Sequence, residues 1–185
     1  MPRLFVAIEL PEAVKHQLEV LRTGIAGVRW LQPEQLHLTL KFIGDTDNDK
    51  RDAIHRTLST IRAVTFSTQV RGVGQFPARG TAKVLWAGMD APEQLINLQK
   101  LIEAGFQQIG IPRENRPFAP HITLTRLKKP ISEHAIQTYI AQHDGFKTKP
   151  FQVEQFVLYS STLTPQGSVY EREAVYLLSQ DLRLL

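Results

Sequence analysis

Leu36-His37-Leu38-Thr39-Leu40-Lys41-Phe42-Ile43-Gly44 and His121-Ile122-Thr123-Leu124-Thr125-Arg126-Leu127 are two stretches rich in strand formers that share one tetrapeptide pattern, His-x-Thr-Leu, 84 residues apart. Side chains on a strand alternate faces, so His37 and Thr39 share one side and Leu38 and Leu40 the other. The second copy repeats this with His121, Thr123, Ile122 and Leu124. Each copy presents an imidazole and a hydroxyl on one face and turns aliphatic groups toward a core. Two such strands, related by a pseudo-twofold, bring two His-Thr pairs together around one small cavity. A single His-x-Thr is a weak pattern, and a lone histidine on a half-apolar strand is more often structural. Repetition reverses that reading, because the chain has six histidines and two of them occupy this context. His16, His55, His134 and His143 fall in predicted helices or at their ends and read as solvated.

Upstream, Leu4 to Ile8 is an apolar strand-forming run, and Pro11-Glu12 opens a helix on which Val14, Leu18 and Leu21 recur at helical spacing. A short strand is expected at Val28-Arg29-Trp30, a helix over 49–61, and strands over 66–76 and 84–89. Pro92 opens a further helix with Leu95, Leu98, Leu101 and Ile102 along one side. Pro117 and Pro120 disfavour helix and deliver the second motif as a strand over 121–127. A helix over 132–142 follows, and strands over 151–159 and 169–178 flank the turn Thr164-Pro165-Gln166-Gly167. Strands and helices intermix without strict βαβ alternation, which predicts an α+β fold with antiparallel pairing.

With 185 residues the chain is sized for one domain, residues 1–185. Its 42% hydrophobic and 22% charged residues are ordinary globular values, and the net charge of +4 mildly favours an anionic partner. The absence of cysteine excludes disulfides, thiolate metal sites and cysteine nucleophiles. The N-terminal apolar run is too short for a signal peptide, and no stretch approaches the ~18 apolar residues of a membrane span. A cytoplasmic protein without membrane association is expected.

Two histidines near their ordinary pKa of ~6.5 divide acid and base roles near neutral pH, one neutral and the other protonated. Two threonine hydroxyls can donate to non-bridging phosphate oxygens, and a nearby cation favours the charge that builds in the transition state. This set suits phosphodiester chemistry without a metal.

The paired motifs resemble those of the two-histidine phosphoesterase superfamily, and within it the bacterial and archaeal RNA 2′,3′-cyclic phosphodiesterases, also called 2′-5′ RNA ligases. The resemblance covers the whole chain. It includes Arg3-Leu4-Phe5-Val6-Ala7-Ile8, the two stretches quoted above with the Asn115-Arg116-Pro117-Phe118-Ala119-Pro120 lead-in, and a closing Leu158-Tyr159-Ser160-Ser161-Thr162-Leu163 followed by Gly167 and Tyr170. It implies two lobes, each an antiparallel sheet flanked by helices, facing one another across a central cleft. It also implies that His37 is the proton donor and His121 the proton acceptor, with Thr39 and Thr123 holding phosphate oxygens. The implied substrate is RNA with a 2′,3′-cyclic phosphate end, converted to a 2′-phosphomonoester by a monomer without cofactor or metal. The reverse logic, with a 5′ hydroxyl in place of water, joins RNA through a 2′-5′ linkage without ATP.

Arg126 is a further substrate-binding candidate, although strict alternation puts it opposite His121 and only a bulge or the strand's end turns it toward the phosphate. Lys41 shares the His37 face by parity and is assigned a rim role. Phe5, Trp30, Phe42 and Phe118 are candidates to stack on a base, Phe5 foremost, with core packing as the ordinary alternative. Arg113, Arg116, Lys128 and Lys129 flank the second motif and are candidates to track RNA backbone. Asp45-x-Asp47-x-Asp49 begins like a calcium loop, but Lys50 and Arg56 stand where the glycine and the bidentate glutamate belong. Gly72-x-Gly74 is half a dinucleotide fingerprint, and the chain has no phosphate loop, which argues against an ATP-dependent ligase. Two alternatives stay open: a non-catalytic module that binds RNA ends, and a cyclic phosphodiesterase acting on small nucleotides.

Overall fold

The apolar run after Arg3 forms β1 (Arg3–Glu9), whose Leu4, Val6 and Ile8 are buried on one face and Phe5 and Ala7 on the other. The computed structural model describes residues 3–165 and 167–180. A short helix α1 (Glu12–Gln17) continues as a 3-10 turn over Leu18–Leu21, burying Val14, Leu18 and Leu21. The first motif opens β2 (His37–Asp45). Helix α2 (Asn48–Thr60) begins where the Asp47 carboxylate accepts from the Lys50 amide at 2.8 Å, the N-cap role in which the predicted polar turn is used. Next come β3 (Phe66–Thr68), β4 (Val70–Phe76), β5 (Val84–Met89) and α3 (Glu93–Gln108), with Leu95, Leu98, Ile102 and Phe106 fully buried along one side. The second motif opens β6 (His121–Arg126), followed by α4 (Glu133–His143), capped by the Ser132 hydroxyl. The described chain closes with β7 (Phe151–Val153), β8 (Gln155–Thr164) and β9 (Gly167–Leu177).

The strands pair antiparallel in a seven-stranded sheet ordered β4-β5-β6-β2-β1-β8-β9, with β3 and β7 forming a separate two-stranded ribbon. The two motif strands are neighbours at its centre, joined by the single register pair Leu38↔Ile122. The sheet is thus two lobes, β4-β5-β6 and β2-β1-β8-β9, related by a pseudo-twofold through that pair. Helices α2 and α3 pack behind β9 and β2, and α4 packs behind β4. There the Tyr139 hydroxyl donates to the Leu21 carbonyl at 2.6 Å. Among the described residues no helix is long and apolar enough to cross a membrane.

Three expected strands differ from the prediction. Val28–Trp30 contributes only an isolated bridge, Trp30↔Thr125, because the segment crosses β6 at one point. The 66–76 strand breaks at Gln69, where the Asp90 carbonyl accepts from the Thr68 hydroxyl and the Asp90 carboxylate from the Gln69 amide, so its halves enter different sheets. The 151–159 strand divides likewise at Glu154, whose carbonyl accepts from the Leu178 amide. In the last hairpin Thr164 and Gly167 are bonded across the turn at 2.7 Å and Gly167 has φ +131°, while Gln166 lies outside the described residues.

Both motif strands carry a bulge at the same motif position. From Ala7↔Thr39 to Val6↔Lys41, β1 advances one residue while β2 advances two, making Leu40 the extra residue. From Trp86↔Thr123 to Leu85↔Thr125, β5 and β6 do the same at Leu124. The burial pattern records the consequence: Leu40 and Lys41 are both buried, as are Leu124 and Thr125, whereas Phe42 and Arg126 are exposed.

Candidate active site

Leu38, Leu40, Ile122 and Leu124 all enter the core, which turns His37, Thr39, His121 and Thr123 to the opposite face. Continuing the Leu38↔Ile122 register by one residue each way sets His37 beside Thr123 and Thr39 beside His121. Each imidazole is held in the same manner: His37 Nδ1 lies 2.8 Å from the Gln35 carbonyl, and His121 Nδ1 lies 2.7 Å from the Ala119 carbonyl. A carbonyl only accepts, so Nδ1 of each ring carries the hydrogen and donates it. The Nε2 atom of each ring is left for chemistry. Neither threonine hydroxyl is engaged by another group among the described residues.

Aromatic rings pack around both histidines. Tyr170 meets His37 edge-on with centroids 5.2 Å apart at 88°, and Phe5 lies at 4.9 Å. Phe76 meets His121 edge-on at 4.9 Å and 82°, with Trp86 at 6.4 Å. Trp86 lies flat over Gly74, where the indole leaves no room for a Cβ. Beyond Phe5, the Tyr159 ring stacks at 5.3 Å, and its hydroxyl donates to Glu9, which also accepts from Arg172 Nε at 2.7 Å. The sequence reading missed Phe76, Trp86, Tyr159 and Tyr170 as neighbours of the histidines. Tyr159 and Tyr170 belong to the closing pattern, but only strand register brings them to His37.

Burial pushes the His37 pKa down to about 4; the Gln35 hydrogen bond opposes this, and the positive charges of Arg126 and protonated His121 add to it. His121 is lowered by burial, with the Ala119 bond opposing and Arg126 again contributing. Arg126 therefore stands close enough to both rings to oppose their protonation. This resolves its parity: the bulge at Leu124 returns Arg126 to the histidine face.

The equivalent bulge overturns the reading of Lys41. The extra residue at Leu40 rotates Lys41 away from His37 into the core, 4% exposed. Its Nζ donates to the Glu103 carboxylate and the Pro112 carbonyl at 3.1 and 2.8 Å. Lys41 ties β2 to α3 and to the loop that precedes β6, and it has no access to a substrate. Phe42 takes the outer position instead, 57% exposed and 6.0 Å from Phe5. Phe5 is 3% exposed under Phe42, Tyr159 and Tyr170, so it supports His37 and offers no face to a base. Trp30 and Phe118 are half-buried and pack against the core. Arg113, Arg116, Lys128 and Lys129 are exposed. Of the remaining histidines, His55 is half-buried against the Tyr176 hydroxyl at 3.0 Å and His143 packs on Tyr139 at 4.8 Å, while His16 and His134 are exposed as expected.

Among the described residues no three His, Asp or Glu side chains are grouped to hold a metal ion. A shallow depression of about 410 Å³ lined by Thr68, Gln69, Asp90 and Pro92 contains neither motif histidine.

Residues 10–164 match the family model of the 2′-5′ RNA ligase superfamily. The chain is 31% identical over 182 residues to the RNA 2′,3′-cyclic phosphodiesterase of Methanothermobacter thermautotrophicus, covering 95% of this chain and 98% of that protein. Its fold is similar to TT0787 of Thermus thermophilus, with a TM-score of 0.81, 30% identity and coverage of 95% and 97% of the two chains. It is also similar to Escherichia coli LigT complexed with 3′-AMP, with a TM-score of 0.77, 28% identity and coverage of 97% and 100%.

Proposed function

The chain belongs to the 2′-5′ RNA ligase superfamily, and from that membership we propose that it hydrolyses RNA 2′,3′-cyclic phosphodiester ends, using His37 and His121 as an acid-base pair. His121 Nε2 takes a proton from water as the water oxygen bonds to phosphorus. The bond from phosphorus to the ribose 3′ oxygen breaks, and His37 Nε2 delivers a proton to that oxygen. The product is a 2′-phosphomonoester with a free 3′ hydroxyl. His121 ends protonated and His37 neutral, and exchange with solvent restores the starting state. Thr39 and Thr123 donate to the non-bridging oxygens, and Arg126 offsets the charge that accumulates on them. With a 5′ hydroxyl in the place of water, the same two proton transfers give a 2′-5′ linkage. The enzyme is taken to work as a cytoplasmic monomer without a metal.

The observation that supports this reading is the matched pair of Nδ1-to-carbonyl clamps, which leaves Nε2 of both rings without a hydrogen-bond partner among the described residues, with Arg126 near enough to oppose the protonation of both. The test is incubation of EDTA-treated protein with an oligonucleotide ending in a 2′,3′-cyclic phosphate, followed by mass analysis and mapping of the phosphate position. A 2′-monophosphate formed at the rate of untreated protein is expected. A 3′-phosphate, loss of activity with EDTA, or tight binding without product each overturns it.

The pH dependence follows from the lowered pKa values. In the free enzyme one ring must be protonated and the other neutral, and kcat/KM reports that state. Both rings titrate below the ordinary histidine value, so the kcat/KM maximum is expected on the acid side of pH 6.5. Arg126→Gln removes a charge that opposes protonation and shifts the profile to higher pH while weakening activity. A wild-type maximum near pH 8, or an unmoved profile in the variant, contradicts the arrangement.

A further inference from the structure

We propose that the RNA strand whose cyclic end occupies the site leaves it over a cationic patch at the tip of the β4–β5 hairpin and the end of β6. This rests on the function proposed above and adds the direction of the substrate chain.

The two lobes repeat the motif but not the charge around it. Residues 70–90 and 114–133, which hold β4, β5 and β6, carry Arg71, Arg79, Lys83, Arg116, Arg126, Lys128 and Lys129 against Asp90, Glu114 and Glu133, and Asp90 is paired with Arg71. The counterpart of the second stretch around His37, residues 30–49, carries Glu34, Asp45, Asp47 and Asp49 against a buried Lys41. A polyanion emerging from a site between the lobes is drawn to one side.

The backbone brings four of these cations to the end of the β5–β6 ladder at which Arg126 stands. Val84 is in register with Arg126, the Lys83 amide donates to the Phe76 carbonyl, and the Leu127 amide donates to the Lys83 carbonyl, each at 2.8 Å. Lys83 and Lys128 therefore flank the last pair of the β5–β6 ladder, with Lys129 one residue on and Arg79 on the hairpin tip. All four are exposed, and none forms an ion pair among the described residues. The tip is also held in shape. The buried Gln75 amide donates to the Pro77 carbonyl at 3.0 Å and the Gly80 carbonyl at 3.3 Å, bracketing Arg79. The strand entering the tip ends in Phe76, the ring packed on His121. A fixed cationic loop joined to the site through its own flanking residue fits a single strand whose terminal phosphate lies between the histidines.

The test uses a cyclic mononucleotide and an octanucleotide with the same cyclic end, comparing wild type with the quadruple variant Arg79→Gln/Lys83→Gln/Lys128→Gln/Lys129→Gln. A control variant, Lys50→Gln/Arg56→Gln/Arg62→Gln/Lys100→Gln, removes equal charge from the helices and the loop after α2. Wild type is expected to favour the octanucleotide in kcat/KM by tenfold or more at low salt, with a preference that shrinks as salt rises. The patch variant is expected to lose that preference, and its salt slope for the octanucleotide to become shallower by up to about 3. Its mononucleotide kinetics and the control variant's behaviour are expected to stay at wild-type levels. Mononucleotide turnover with no octanucleotide preference, or an unaltered patch variant, overturns the inference while leaving the function standing. Failure on both substrates overturns the function itself.

Discussion

Replacing His37 or His121 by alanine is expected to lower turnover of a cyclic-phosphate oligonucleotide by roughly 10²- to 10⁴-fold each, the usual contribution of a positioned proton donor or acceptor. Because the two rings act on one event, the double variant is expected to lose much less than the product of the single losses. The measurement is single-turnover kinetics at saturating substrate, beside circular dichroism to establish that the fold persists. That control is informative here, since among the described residues each ring's hydrogen bond goes to a carbonyl two residues earlier in the chain, and the surrounding aromatic packing survives its loss in large part. A folded variant of either kind that keeps wild-type turnover removes the acid-base pair from the mechanism.

The second large effect concerns stability. Lys41→Ala leaves the Glu103 carboxylate, 7% exposed, without its cationic partner. Removing one member of a buried ion pair costs about 3–5 kcal/mol, because the remaining charge stays desolvated and unpaired. Urea unfolding is expected to show a loss of that size in Lys41→Ala, and the double variant Lys41→Met/Glu103→Leu to recover most of it, since the pair is replaced by apolar groups of similar volume. At a temperature where the double variant is folded, its KM for a cyclic mononucleotide is expected to stay near the wild-type value. A rise of tenfold in that KM with little change in stability would return Lys41 to the substrate side of the sheet, contrary to its contacts with Glu103 and Pro112.

Lys41 and Arg126 also mark where reading the sequence succeeds and where it stops. Strict alternation from His37 and His121 places Lys41 inward to the site and Arg126 away from it, and both placements are reversed by one residue of bulge. Nothing in residues 37–42 or 121–126 announces that bulge. It arises because β1 and β5 present one residue where β2 and β6 spend two, which is a property of the pairing and not of either strand alone. The aromatic surroundings have the same origin. Phe76, Trp86 and Tyr170 lie far from their histidine in sequence, and sheet order brings them together.

What the sequence determined by itself is local or repeated. The periodicity placed most of the helices and strands, and the prolines set the entry to β6. The duplicated His-x-Thr-Leu fixed four side chains on one face and their aliphatic neighbours on the other, because a two-residue period is dictated by the backbone of any strand. The tertiary structure decided which cation faces the histidines, which ring remains exposed, and how far burial lowers each imidazole's affinity for protons. These depend on register between distant strands and on exclusion of water by groups from both lobes, and neither is encoded within a single segment.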